Sequence, residues 1–184
     1  MKRIFALCLP VVFLAVSCKK ANQPAEENDN ELITTVELQF TKKSDGSASV
    51  FMWEDVDGPG GEIPYADTLL LQTNEEYDVK ITVWNKSRTP AENITEEVTA
   101  ESENHRFYYE PSANMGITVS NFDNDINGMP LGVNSRWVTT NAAEGTAIVV
   151  LRHYPEGGKA ADDLLNSPKS TTDAGAVFIA MVKD

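Results

Sequence analysis

The chain has 184 residues, a net charge of −13 and a hydrophobic fraction of 41%, with two Cys and two His. It is too apolar for a disordered chain, and it is long enough to bury one core without disulfide staples. Its acidity argues against a nucleic-acid partner, whose phosphates are neutralised by Lys and Arg, and two Cys with two His are too few for a Cys-rich zinc site.

Lys2 and Arg3 give a short positive start, and Ile4 to Val16 is a run of thirteen residues that are apolar apart from Pro10. A helix needs about 20 apolar residues to span a bilayer, so the run fits the hydrophobic region of a secretory signal instead. It ends in Leu14-Ala15-Val16-Ser17-Cys18. This stretch resembles a bacterial lipoprotein signal, in which small residues precede a Cys that is acylated on sulfur and becomes the first residue of the mature chain. Ala15, Ser17 and Cys18 match that pattern; Leu14 and Val16 depart from it. Ala15-Val16-Ser17 also fits plain signal cleavage. The resemblance implies a signal peptide at residues 1–17, a lipid on Cys18 and a membrane as partner. Removing residues 1–17 leaves a net charge of −15. Such a chain repels anionic lipid and is held by acyl chains rather than by surface charge. Residues 18–31 have no apolar residue larger than Ala after Cys18 and read as a flexible tether.

Residues 32–184 read as one domain of strands and turns. Leu32, Thr34, Val36, Leu38 and Phe40 alternate with Ile33, Thr35, Glu37, Gln39 and Thr41, and period two with one greasier face is that of a half-buried strand. Ser44-Asp45-Gly46 marks a turn, and residues 48–54 continue as strand. A Gly/Pro/Asp loop over residues 55–64 leads to a short run at residues 68–71. Tyr77, Val79, Ile81 and Val83 give the clearest alternation. Asn93 with Glu96 three residues on suggests a capped helix reaching about Glu103. Strands are expected at residues 105–109, 116–122, 133–140, 146–154 and 176–182. The polar loop 155–173 between the last two is expected to carry a short helix at Lys159–Leu165. Eight or nine short strands with one short helix predict an all-β fold, an antiparallel β-sandwich of immunoglobulin-like organisation, with a closed barrel as the alternative.

Asp123, Asp125 and Asn127, followed by Gly128, have the alternating oxygen ligands that open a calcium loop. The twelfth position of an EF-hand would fall on Asn134, so that particular motif fails. What stays open is a partial Ca²⁺ site or a simple turn, which favours the same residue types. Glu54, Asp55, Asp57 and Glu62, with Asp67 beyond, form a second acidic loop that is either a cation site or a solvated loop. His105 and His153 are the only imidazoles, and nothing in their spacing puts them together. Their meeting an acid in one cleft would favour an enzyme. Trp53, Trp84 and Trp137 sit on expected strands, either as core or as a platform for sugars.

Gly58-Pro59-Gly60-Gly61, Asn93-Ile94-Thr95-Glu96-Glu97, Asp123-x-Asp125-x-Asn127-Gly128-Met129-Pro130 with Trp137 after it, and Leu151-Arg152-His153-Tyr154-Pro155 together resemble a family of small uncharacterised Bacteroidota lipoproteins. Some members are labelled as having a type 1 periplasmic binding fold, which implies two α/β lobes; the strands and turns here point to a sandwich. The resemblance implies a cell-envelope location, on the periplasmic or the outer face of the outer membrane, and transfers no activity. The expectation is a lipid-anchored, non-enzymatic binding or accessory module with a protein or glycan partner. The alternatives are a calcium-stabilised adhesion or carbohydrate-binding domain and a periplasmic enzyme.

Overall fold

In the computed structural model the described residues are 32–58, 61–155 and 158–184. The signal, Cys18 and the tether lie outside them. In chain order the elements are β1 (Thr35–Lys42), β2 (Ala48–Glu54), β3 (Tyr65–Ala66), β4 (Thr68–Gln72), β5 (Glu76–Asn85), β6 (Glu92–Asn93), α1 (Ile94–Ala100), β7 (His105–Pro111), β8 (Ile117–Ser120), β9 (Asn134–Thr139), β10 (Ala143–His153) and β11 (Thr171–Lys183), with one 3-10 turn at Ser102–Asn104.

The strands form two sheets. One runs β3-β2-β1-β5-β9-β8, with β6 also paired to β5, and the other runs β4-β11-β10-β7. Pairing is antiparallel except where β4 lies parallel to β11. The all-β sandwich expected from the sequence is what forms. All nine expected strands are present, and two-residue strands β3 and β6 are added to them. The helix expected to reach Glu103 stops at Ala100 and passes into the 3-10 turn.

Period-two patterning builds the core. Val36, Leu38 and Phe40 of β1 and Tyr77, Val79, Ile81 and Val83 of β5 are buried on one inner face. Leu69 and Leu71 of β4, Val149 and Leu151 of β10, and Ala176, Phe178, Ala180 and Val182 of β11 are buried on the other. Each large side chain removed from water contributes about 1.5–3 kcal/mol. Trp137 of β9 is fully buried and joins the layers: its ring meets Phe40 edge-on at 5.1 Å and Tyr109 of β7 at 5.8 Å. Its indole N–H donates to the Ser135 hydroxyl at 3.1 Å, so no polar atom of the ring is stranded.

The loop after β10 departs from expectation. Residues 159–165 form turns, not a helix. The Arg106 guanidinium of β7 donates to the carbonyls of Ala160, Ala161 and Asp163, and the Tyr108 hydroxyl also donates to Asp163. Carbonyls turned toward β7 in this way satisfy side-chain donors instead of forming a helical ladder.

Candidate functional site

The Asp123–Gly128 segment folds as a tight turn. An isolated bridge links Asn124 to Pro130, and Gly128 has a φ of 78°, in the left-handed region that suits glycine. Asp123 accepts from the Gly132 N–H at 2.9 Å, the Asn134 N–H at 3.0 Å and the Asn134 side-chain amide at 2.9 Å. Asp125 accepts from the Asn127 and Met129 N–H groups, both at 2.8 Å, on one oxygen, and its other oxygen meets Lys159 Nζ at 2.9 Å. The side chains of Asp125 and Lys159 are each only 1% exposed. Burial pushes the Asp125 carboxyl up, but the Lys159 ammonium and the two N–H groups outweigh it and hold the group below the ordinary value. The carboxylates expected to ligate Ca²⁺ with Asn127 are therefore engaged by donors from this chain. The motif's residues close a turn and secure a buried ammonium, roles that a calcium ion would have to displace.

The second acidic loop divides its carboxylates among separate tasks. Glu54 stands 3.2 Å from Lys86, Asp57 accepts from the Glu62 N–H at 2.7 Å, and Asp67 takes the Met52 N–H at 2.8 Å and the Tyr65 hydroxyl at 2.6 Å. The tryptophans do not form a platform either. Trp137 is core, Trp53 packs half-buried against the core, and Trp84 is half-buried on a strand whose partner residue is Thr35.

The fold does bring the two histidines together. His105 opens β7, His153 closes β10, and the register sets them opposite each other. Their rings stack with centroids 4.7 Å apart and planes 27° apart. The third member is Asp173, whose Oδ2 lies 3.9 Å from His105 Nε2. A register shift delivers it. Leu151 pairs with Ala174 but Arg152 pairs with Thr172, so Asp173 is the extra residue of a bulge in β11. In the unbroken alternation it would point outward with Val177 and Ile179; the bulge re-aims it toward β7 and β10. One ligand atom from each of His105, His153 and Asp173 lies within 4.8 Å of the others. Sequence reading singled out both histidines but passed over Asp173, which it left in a polar loop, and Lys159.

The outer surfaces of the sandwich differ in their share of charged residues. On the first sheet Glu37, Gln39, Asp78, Lys80 and Arg136 share the outward face with Met52 and Val50, the latter 59% exposed, and Arg136 is paired to Asp78 at 3.0 Å. On the second sheet Leu70, Val177 and Ile179 point outward and are 51%, 51% and 57% exposed. Ile148 and Thr146 stand opposite Val177 and Ile179, and Met181 opposite Leu70, so the apolar stripe crosses three strands.

Comparison with family models, curated proteins and solved structures returned no match. Among the described residues no helix is long and apolar enough to cross a membrane.

Proposed function

We propose that this chain is a membrane-anchored bacterial lipoprotein of the small Bacteroidota kind, held at the outer membrane by acylated Cys18. Its sandwich is a non-enzymatic binding or accessory module for a protein partner in the cell envelope. The supporting observation is the outer face of the β4-β11-β10 sheet. Half-exposed Leu70, Val177 and Ile179 form a contiguous aliphatic stripe, whereas the outer face of the other sheet mixes charged residues with exposed Val50. Apolar patches of this kind mark interaction surfaces. Aliphatic side chains favour a protein over a sugar, whose faces are bound by stacked aromatic rings.

Two measurements test the two halves. Mass spectrometry of the mature protein is expected to find a diacylglyceryl group on Cys18, and Cys18→Ser is expected to leave the chain unanchored. A photo-crosslinker placed at Val177 in living cells is expected to give an adduct with another envelope protein, whereas one at Lys80 on the outer face of the other sheet gives none. No adduct from Val177 would defeat the module reading, and an adduct only with a second copy would make the stripe a dimer interface.

The meeting of His105 and His153 with an acid favours a second reading, a periplasmic enzyme. His105 is fully buried and Asp173 only 10% exposed at its side chain, so a substrate would have to approach from the His153 side. Hydrolysis of peptides or glycans by the purified protein, lost in His153→Ala, would establish it.

A further inference from the structure

We infer that His105, His153 and Asp173 form a binding site for one divalent transition-metal ion of the zinc class, which pins β7, β10 and β11 together at one end of the second sheet. The inference rests on no part of the anchoring or docking reading above.

Three adjacent strands each supply one ligand-bearing side chain at the same level of the sheet. The β7–β10 register supplies the imidazoles, and the β11 bulge supplies the carboxylate. The ring of His105 is already oriented. Its Nδ1 faces the Glu101 carbonyl at 3.1 Å, and a carbonyl only accepts, so Nδ1 carries the hydrogen. In the neutral ring that leaves the Nε2 lone pair directed at the Asp173 side. A backbone carbonyl holding the remote ring nitrogen is the usual support of a metal-bound histidine.

The distances suit a shared ion. His105 Nε2 and Asp173 Oδ2 are 3.9 Å apart. Ligands on a tetrahedral zinc, each about 2.0–2.1 Å from the metal, stand roughly 3.4 Å from one another. The three ligand atoms lie within 4.8 Å of one another, so binding an ion would draw them inward to that spacing. His153 is only partly buried, so an ion would enter from its side.

The donor set selects the metal. Two imidazole nitrogens and one carboxylate suit zinc, copper, nickel or iron, whereas calcium and magnesium take oxygen cages. Lys159 donates to the His105 carbonyl at 2.8 Å but is neutralised by Asp125 at 2.9 Å, so it opposes a second cation only weakly.

The test is calorimetric titration of the chelator-treated whole protein with Zn²⁺. One saturable equivalent per chain is expected. His153→Ala and Asp173→Asn, checked for folding by circular dichroism, are each expected to weaken it by more than about tenfold. Asp45→Asn, on an exposed turn, is expected to leave it unchanged. Zinc binding with equal strength in His153→Ala and Asp173→Asn would place the ion on surface carboxylates and overturn the inference, as would no saturable equivalent. Should either variant fail to fold, the intact chain still decides. One equivalent of Zn²⁺ is expected to shift the ring-proton resonances of both histidines in NMR spectra, and unmoved rings refute the site.

Discussion

Lys159 has three ammonium hydrogens and three acceptors: the Ser102 carbonyl at 2.7 Å, the His105 carbonyl at 2.8 Å and Asp125 at 2.9 Å. Such a buried pair is favourable only when every donor is met, and removing one partner strands a charge away from water. Lys159→Met is therefore expected to cost about 3–5 kcal/mol in urea unfolding. Adding Asp125→Asn is expected to restore part of that loss, because the stranded carboxylate disappears. If the double variant is as unstable as the sum of the singles, the two groups do not act as a pair. Asp163 makes a different kind of anchor. Burial pushes its carboxyl up, but the Ala160 N–H, the Lys169 ammonium and the Ser167 hydroxyl outweigh burial and leave it below the ordinary value. A carboxyl depressed in the folded state contributes stability above its unfolded pKa of 3.8 and loses it as the pH falls through the lower folded value. Acid titration of unfolding is expected to show stability falling below about pH 4, with a shallower fall in Asp163→Asn. Identical acid limbs in the two proteins would remove Asp163 from the account.

Among the elements, what could be read from the chain and what could not divide by the range of the cause. The strands were legible because alternation is local: Tyr77, Val79, Ile81 and Val83 point inward wherever their neighbours lie. The start of α1 was legible for the same reason. Asn93 accepts from the Thr95 N–H at 3.1 Å, and its side-chain amide reaches Glu96 at 3.3 Å, so the cap read from the sequence is built by neighbouring residues. Asn93→Ala is expected to cost about 1 kcal/mol, measured by thermal unfolding. The 159–165 loop was misread because its carbonyls answer to Arg106 and Tyr108, more than fifty residues away. The candidate site was half legible. The two histidines stood out by rarity, but their meeting depends on β7–β10 register, and Asp173 enters only through a bulge that local patterning does not announce.

For the molecule as a whole, the decisive asymmetry runs through β11. Phe178 is fully buried between the sheets, while Ile179, its neighbour, is 57% exposed on the opposite face. Both are large and apolar, so hydrophobicity alone would give them equal weight; the pleat separates them. Phe178→Ala opens a cavity in the close-packed interior and is expected to cost about 3–5 kcal/mol. Ile179→Lys removes no core contact and is expected to change stability by no more than about 0.5 kcal/mol. The same substitution places a charge in the middle of the aliphatic stripe, where a partner would have to strip its water away. Loss of the Val177 crosslink in Ile179→Lys, with urea unfolding unchanged, is the expected outcome if the stripe is kept for recognition. A large loss of stability in Ile179→Lys would mean that the outer face contributes to the fold itself, and the difference between the two sheets would then be structural in origin.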